Sequence, residues 1–142
     1  MSDLALKRYA EFFESLTADR VALLDQVMTE DVSFTDPFNS VRGIEQVRQV
    51  FVEMHAQFSD ARFVVTHAAL ADDGSGLLRW ELNGKLRRTG DPWHVEGMSQ
   101  VRFGPDGRVS EHVDYWDAAR QFYERLPVVG WILRRIRARM AL

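Results

Sequence analysis

The chain has 142 residues, of which 46% are hydrophobic and 27% charged, and its net charge is −3. These values suit one globular domain that buries a core without staples, and they argue against a nucleic-acid footprint over the surface. Cysteine is absent, which excludes disulfides, thiolate nucleophiles and Cys-ligated metals and fits a reducing compartment.

No run of about 18 apolar residues is present, and the start Met-Ser-Asp-Leu-Ala-Leu-Lys lacks the basic and apolar stretches of a signal peptide, so a cytoplasmic protein is the expectation. In chain order, Leu6, Tyr9, Phe12, Phe13 and Leu16 recur at helical spacing and predict a first amphipathic helix. Val21, Leu24 and Val27 mark a second, short helix, with Thr17 or Asp19 as its cap. Val32 to Asp36 alternates apolar and polar and reads as a short strand that Pro37 ends; Pro37 to Ser40 with Gly43 reads as a loop. A long helix is predicted from about Arg42 to Phe58, with Ile44, Val47, Val50, Phe51, Met54 and Phe58 as its stripe.

The second half reads as sheet. Strands are predicted at 63–70, 77–86, 93–103 and 109–116, separated by the turn signals Asp72-Asp73-Gly74, Thr89-Gly90-Asp91-Pro92 and Gly104-Pro105-Asp106-Gly107. The alternation in 93–103 puts Val95, Gly97, Ser99, Val101 and Phe103 on one face and His94, Glu96, Gln100 and Arg102 on the other. Asp117 can cap a helix through Glu124, Pro127 breaks it, and Trp131 to Met140 forms a basic amphipathic helix. No repeat or linker interrupts the chain, which predicts a single domain over 1–142, with a core of about 4–117 and a helical extension over 118–142. Helices followed by hairpin strands define an α+β layer: three N-terminal helices on a strongly curved antiparallel sheet, in a cone that encloses a cavity.

At these residues the chain resembles the nuclear transport factor 2-like superfamily and, within it, the SnoaL-like group. The resemblance is carried by Asp31 to Pro37, the helix start Gly43 to Phe51, Arg102 to Val109 and the ending Glu111 to Asp117. It implies the cone fold, and homodimers are frequent among such proteins. Members include ketosteroid isomerases, polyketide cyclases and epoxide hydrolases alongside proteins without known catalysis, so fold does not settle function. In the isomerases the aspartate before this proline is the general base, which the resemblance carries to Asp36. It places Phe12 at the position of the oxyanion tyrosine and Ser99 at that of the oxyanion acid. Both donors are replaced, which argues against the steroid reaction. Tyr9, one turn earlier, paired with Ser99 or His112, is the substitute the residues offer.

Read from the residues, Asp36 shares strand parity with Val32 and Phe34 and points where they point. A carboxylate beside aromatic chains is desolvated, which suits it to accept a proton; alternatively Asp36 only caps the turn at Pro37. His112, Asp114 and Trp116 share a face, placed inside by the hairpin register with Ser99, and His112 and Asp114 can form an acid/base pair or a structural hydrogen bond. Tyr9, Asp36, His112 and Asp114 are therefore the candidate catalytic residues. Phe12, Phe34, Trp80, Ser99 and Trp116 are the candidate ligand-binding residues, for a small apolar carbonyl, enol or epoxide compound. No metal-site spacing is present, and neither a metal nor a cofactor is expected. The alternative is a non-catalytic ligand-binding or protein-pairing module of the same fold. The arginine-rich helix within 131–142 either lies on an anionic membrane surface or covers the cavity mouth or a partner.

Overall fold

The computed structural model describes residues 3–142. Helix α1 (Asp3–Glu14) is followed by a 3-10 helix (Ala18–Gln26), strands β1 (Met28–Thr35) and β2 (Ser40–Arg42), and helix α2 (Ile44–Gln57). Strands β3 (Phe58–Leu70), β4 (Gly76–Leu86), β5 (Pro92–Phe103) and β6 (Val109–Tyr115) come next. The chain ends in a short helix α3 (Ala118–Gln121), a 3-10 turn (Tyr123–Arg125) and helix α4 (Pro127–Met140).

The six strands form one sheet in the order β2-β1-β6-β5-β4-β3. All pairs are antiparallel except β1 with β6, which run parallel with Phe34 opposite His112 and Thr35 opposite Val113. That parallel seam departs from an all-antiparallel expectation. It arises because β1 precedes the three-hairpin run and returns to its last strand. Register shifts in β3 between Ser59 and Arg62 and between Val65 and His67 bend the sheet. The first of these holds Asp60 at φ 55, in the left-handed region.

Every member of the α1 stripe (Leu6, Tyr9, Phe12, Phe13 and Leu16) is buried against the sheet. Val32 and Phe34 of β1, Val47 and Phe51 of α2, and Val95 and Val101 of β5 join them. Each such chain contributes on the order of 1.5–3 kcal/mol of burial. The second helix is 3-10 rather than α; Thr17 sits at its N-cap position without a side-chain capping bond. β2 falls where a loop was expected, and Gly43, at φ 96, turns the chain from β2 into α2. Asp117 caps α3 as predicted, its carboxylate accepting from the Arg120 N–H. Pro127 starts α4 rather than ending the preceding helix, a position where its missing N–H costs nothing.

Candidate functional site

The concave face of the sheet, α2 and the C-terminal segment enclose a cavity of about 640 Å³. Strand parity dictates its floor. In β4 and β5 the inward positions are Trp80 and Leu82, and Trp93 and Val95, while Arg79, Glu81, His94 and Glu96 point away. β6 turns Asp114 and Trp116 inward, and β1 delivers Phe34 and then Asp36 at its end. α2 adds Gln46, Gln49, Val50, Glu53, Met54 and Gln57. At the mouth, Phe38 from the β1–β2 loop meets Trp116 (ring centroids 5.5 Å), Phe122 (5.1 Å) and Tyr123 (5.9 Å), so that the C-terminal turn closes an aromatic collar.

One hydrogen-bond network runs from α1 to the cavity. The Tyr9 hydroxyl lies 2.6 Å from His112 Nδ1, and His112 Nε2 lies 2.6 Å from Asp114 Oδ1. The Trp80 indole N–H donates to Ser99 Oγ at 2.8 Å, and the Ser99 hydroxyl donates to Asp114 Oδ1 at 2.5 Å. A single proton assignment satisfies every donor: Tyr9 donates to Nδ1, so the neutral imidazole carries its proton on Nε2 and donates to an ionised Asp114. Burial of Tyr9, reinforced by the charge on Asp114, pushes the phenol well above its ordinary value and keeps it a donor. His112 is wedged between the rings of Phe34 (4.9 Å), Tyr9 (5.7 Å) and Phe13 (5.8 Å), which fixes its plane. Asp114 Oδ1 takes both bonds, and among the described residues Oδ2, on a residue that lines the cavity, has no hydrogen-bond partner.

Of the nine residues singled out from sequence, Tyr9, Trp80, Ser99, His112 and Asp114 are joined in this network, and Phe34, Asp36, Trp80, Asp114 and Trp116 line the cavity. His112 and Ser99 reach only a small annex behind it. Tyr9 lies outside the lining and acts on His112 from behind; Phe12 also lies outside it, packed on Phe13 with the Arg20 guanidinium over its ring. Asp36 does two things at once. It lines the cavity, and its Oδ1 accepts the N–H groups of Phe38 and Asn39, both at 2.7 Å, and the Asn39 side-chain amide at 3.1 Å. Unforeseen are the amides and Glu53 of α2 and the collar of Phe38, Phe122 and Tyr123. The spacing of Gln46, Gln49, Glu53 and Gln57 was the available signal, a second stripe beside the apolar one.

Glycine at 97 is required by this packing: a Cβ there would stand 2.9 Å from the Trp80 ring and 2.8 Å from Trp116 Cβ. The raised Tyr9 value also has a stability consequence. The folded protein holds the phenolic proton where the unfolded chain, near its ordinary value of about 10, releases it. That stabilisation is complete below about pH 10 and declines as pH rises above it. Tyr9→Phe, which leaves His112 Nδ1 without its donor, is expected to cost about 1–3 kcal/mol at neutral pH and to remove this part of the alkaline loss. Urea midpoints measured between pH 8 and 11.5 check both parts.

The sequence profile of the SnoaL-like domain family matches residues 9–112. Among solved structures, a hypothetical protein with a ketosteroid isomerase-like fold from Catenulispora acidiphila, solved in complex with trimethylamine, aligns with a TM-score of 0.72 at 16% identity, over 92% of this chain and 98% of its own. A candidate SnoaL-like polyketide cyclase from Jannaschia sp. CCS1 aligns at 0.70 and 18%, over 82% and 90%. An NTF2-like protein of unknown function from Exiguobacterium sp. 255-15 aligns at 0.69 and 18%, over 80% and 98%. No curated protein matches the sequence.

Proposed function

Because the chain belongs to the family of SnoaL-like domains, we propose that its cavity binds a small, largely apolar molecule and that Asp114 moves a proton on it, without a cofactor, in a reaction of the isomerase, cyclase or hydrolase type. The observation that carries this reading is the one-sided loading of Asp114. His112 and Ser99 hold Oδ1, and Oδ2 is left for the ligand. The Tyr9 hydroxyl keeps His112 in the tautomer that donates to the carboxylate. A base oriented in this way, at the floor of an apolar pocket, is suited to abstracting the proton next to a carbonyl. Trp116, Gln46 and Gln57 line the cavity and carry N–H groups that can serve the oxygen that becomes negative. Asp36 organises the mouth turn through the three N–H groups it accepts. The trimethylamine complex of the Catenulispora protein supports a small-molecule reading. The test is deuterium exchange, followed by NMR, at the carbon next to the carbonyl of aryl ketones small enough for the cavity. Catalysed exchange that depends on Asp114 supports the reading. Ligand binding without exchange would assign the chain to the non-catalytic binding alternative.

A second reading concerns α4. Among the described residues no helix is long and apolar enough to cross a membrane. α4 nevertheless turns apolar chains to solvent, with Val128 73%, Trp131 56%, Ile132 45% and Ile136 52% exposed. It docks through its other side: Arg134 donates to the Glu124 carbonyl, Arg137 pairs with the Glu124 carboxylate through bonds of 2.9–3.0 Å, and Gly130 packs on the Glu124 backbone. The helix carries four arginines and no acid. We propose that this strip contacts an anionic lipid surface. Sedimentation with phosphatidylserine vesicles is expected for the wild type, and at least a tenfold weakening for Ile132→Ser/Ile136→Ser. Equal sedimentation of the two removes the helix from the account. The homodimer implied by the family remains part of the proposal; the exposed Val64, Met98 and Tyr115 of the sheet support it, and native mass spectrometry tests it.

A further inference from the structure

The charges around the cavity have one sign. Its acidic lining groups are Asp36, Glu53 and Asp114, and among the described residues no lysine, arginine or histidine lines it. Several carboxylates elsewhere in the molecule are paired with guanidinium groups, as in Glu96 with Arg79, Asp25 with Arg48 and Glu124 with Arg137. At the cavity, Asp36 and Glu53 have no cationic partner among the described residues, and the ion-pair-range neighbour of Asp114 is His112, neutral in the assignment above. With Asp36 and Asp114 at the cavity wall and Glu53 at its solvent-facing rim, carboxylates of one sign around a concave, largely apolar space attract a cation from outside. The walls between them are aromatic, including Trp80, Trp116 and Phe38, and the negative faces of such rings attract an alkylammonium group more strongly than an uncharged group of the same shape. The wall shows this affinity on its far side, where the Arg125 guanidinium lies 3.8 Å from the centre of the Trp93 ring.

We infer that the cavity selects an apolar ligand bearing a positively charged amine, its cation held among the aromatic faces between Glu53 and Asp114. The inference rests on the small-molecule reading above and specifies its ligand class. Neutral steroids and simple ketones would fill the space but leave the carboxylates uncompensated. An amine-bearing compound satisfies both the apolar walls and the charge, and it places its own carbon skeleton beside Asp114 Oδ2.

The experiment compares phenyltrimethylammonium with tert-butylbenzene, which has the same shape without the charge, by tryptophan fluorescence and NMR titration of the full chain. The cation is expected to bind at least tenfold more tightly. Glu53→Gln, on the solvent-facing rim of α2, should weaken the cation several-fold more than it changes the neutral probe. Raising salt to 0.5 M should weaken only the cation. Equal or tighter binding of tert-butylbenzene, no binding of the cation, or insensitivity to Glu53→Gln would each overturn the inference. None of those results touches the proton-transfer reading, which the exchange measurement decides separately.

Discussion

Asp114→Asn is expected to slow the catalysed exchange by about 10²–10⁴-fold, the range for losing a positioned general base, while Asp36→Asn slows it only a few-fold. The two carboxylates line the same cavity, so burial alone does not separate them; their hydrogen bonds do. Both Asp36 oxygens are engaged within the turn, Oδ1 by three N–H groups and Oδ2 by the Asn39 amide at 3.2 Å. Asp114 has one oxygen tied and one untied. An asparagine at 114 can keep its carbonyl oxygen under His112 and Ser99, so the fold survives and the effect falls on chemistry. The opposite ranking of the two variants would move the base to Asp36 and leave Asp114 a structural anchor of β6.

His112→Ala is expected to be the most destabilising single change in the site, at about 3–5 kcal/mol. The ring is 5% exposed and touches Tyr9, Phe13 and Phe34, so its removal leaves a cavity comparable to that of a truncated core aromatic. It also strips the Tyr9 hydroxyl of its acceptor and Asp114 of a donor, each a buried polar loss. Urea unfolding at pH 7 measures it. A loss below about 1 kcal/mol would show that the site closes over the gap and that His112 does not tie α1 to β6.

Much of this was legible in the sequence, for identifiable reasons. Strict alternation in β5 and β6 fixes which side chains face inward, so Ser99, His112 and Asp114 share one face once the Gly104–Gly107 turn sets the hairpin. Tyr9 follows from the α1 stripe. What escaped has physical causes. Three-residue β2 is too short to alternate, and the bulge at Asp60 interrupts the pattern in the first part of β3. The α2 stripe identifies the face that packs on the sheet, whereas the cavity is met by its flank, where Gln46, Gln49 and Glu53 read as ordinary solvent-facing positions. Phe122 and Tyr123 reach the mouth only because the tail folds back beneath Phe38, a tertiary fact without local periodicity. Phe12 shares the α1 stripe with Tyr9, but the helix rolls it toward Arg20.

The parallel seam between β1 and β6 bears on the order in which the molecule assembles. Phe34 meets His112 across roughly 80 residues of chain, and Tyr9 meets it across 103. Contacts so distant cannot form until β6 has been synthesised, and their loop entropy makes them slow to form. The hairpins β3 to β5 are local and can pair earlier, presenting a half-built wall without Asp114. The step that seats β6 between β5 and β1 therefore completes the sheet, buries His112 and brings Asp114 into the cavity, so that chain closure and the birth of the site are the same event.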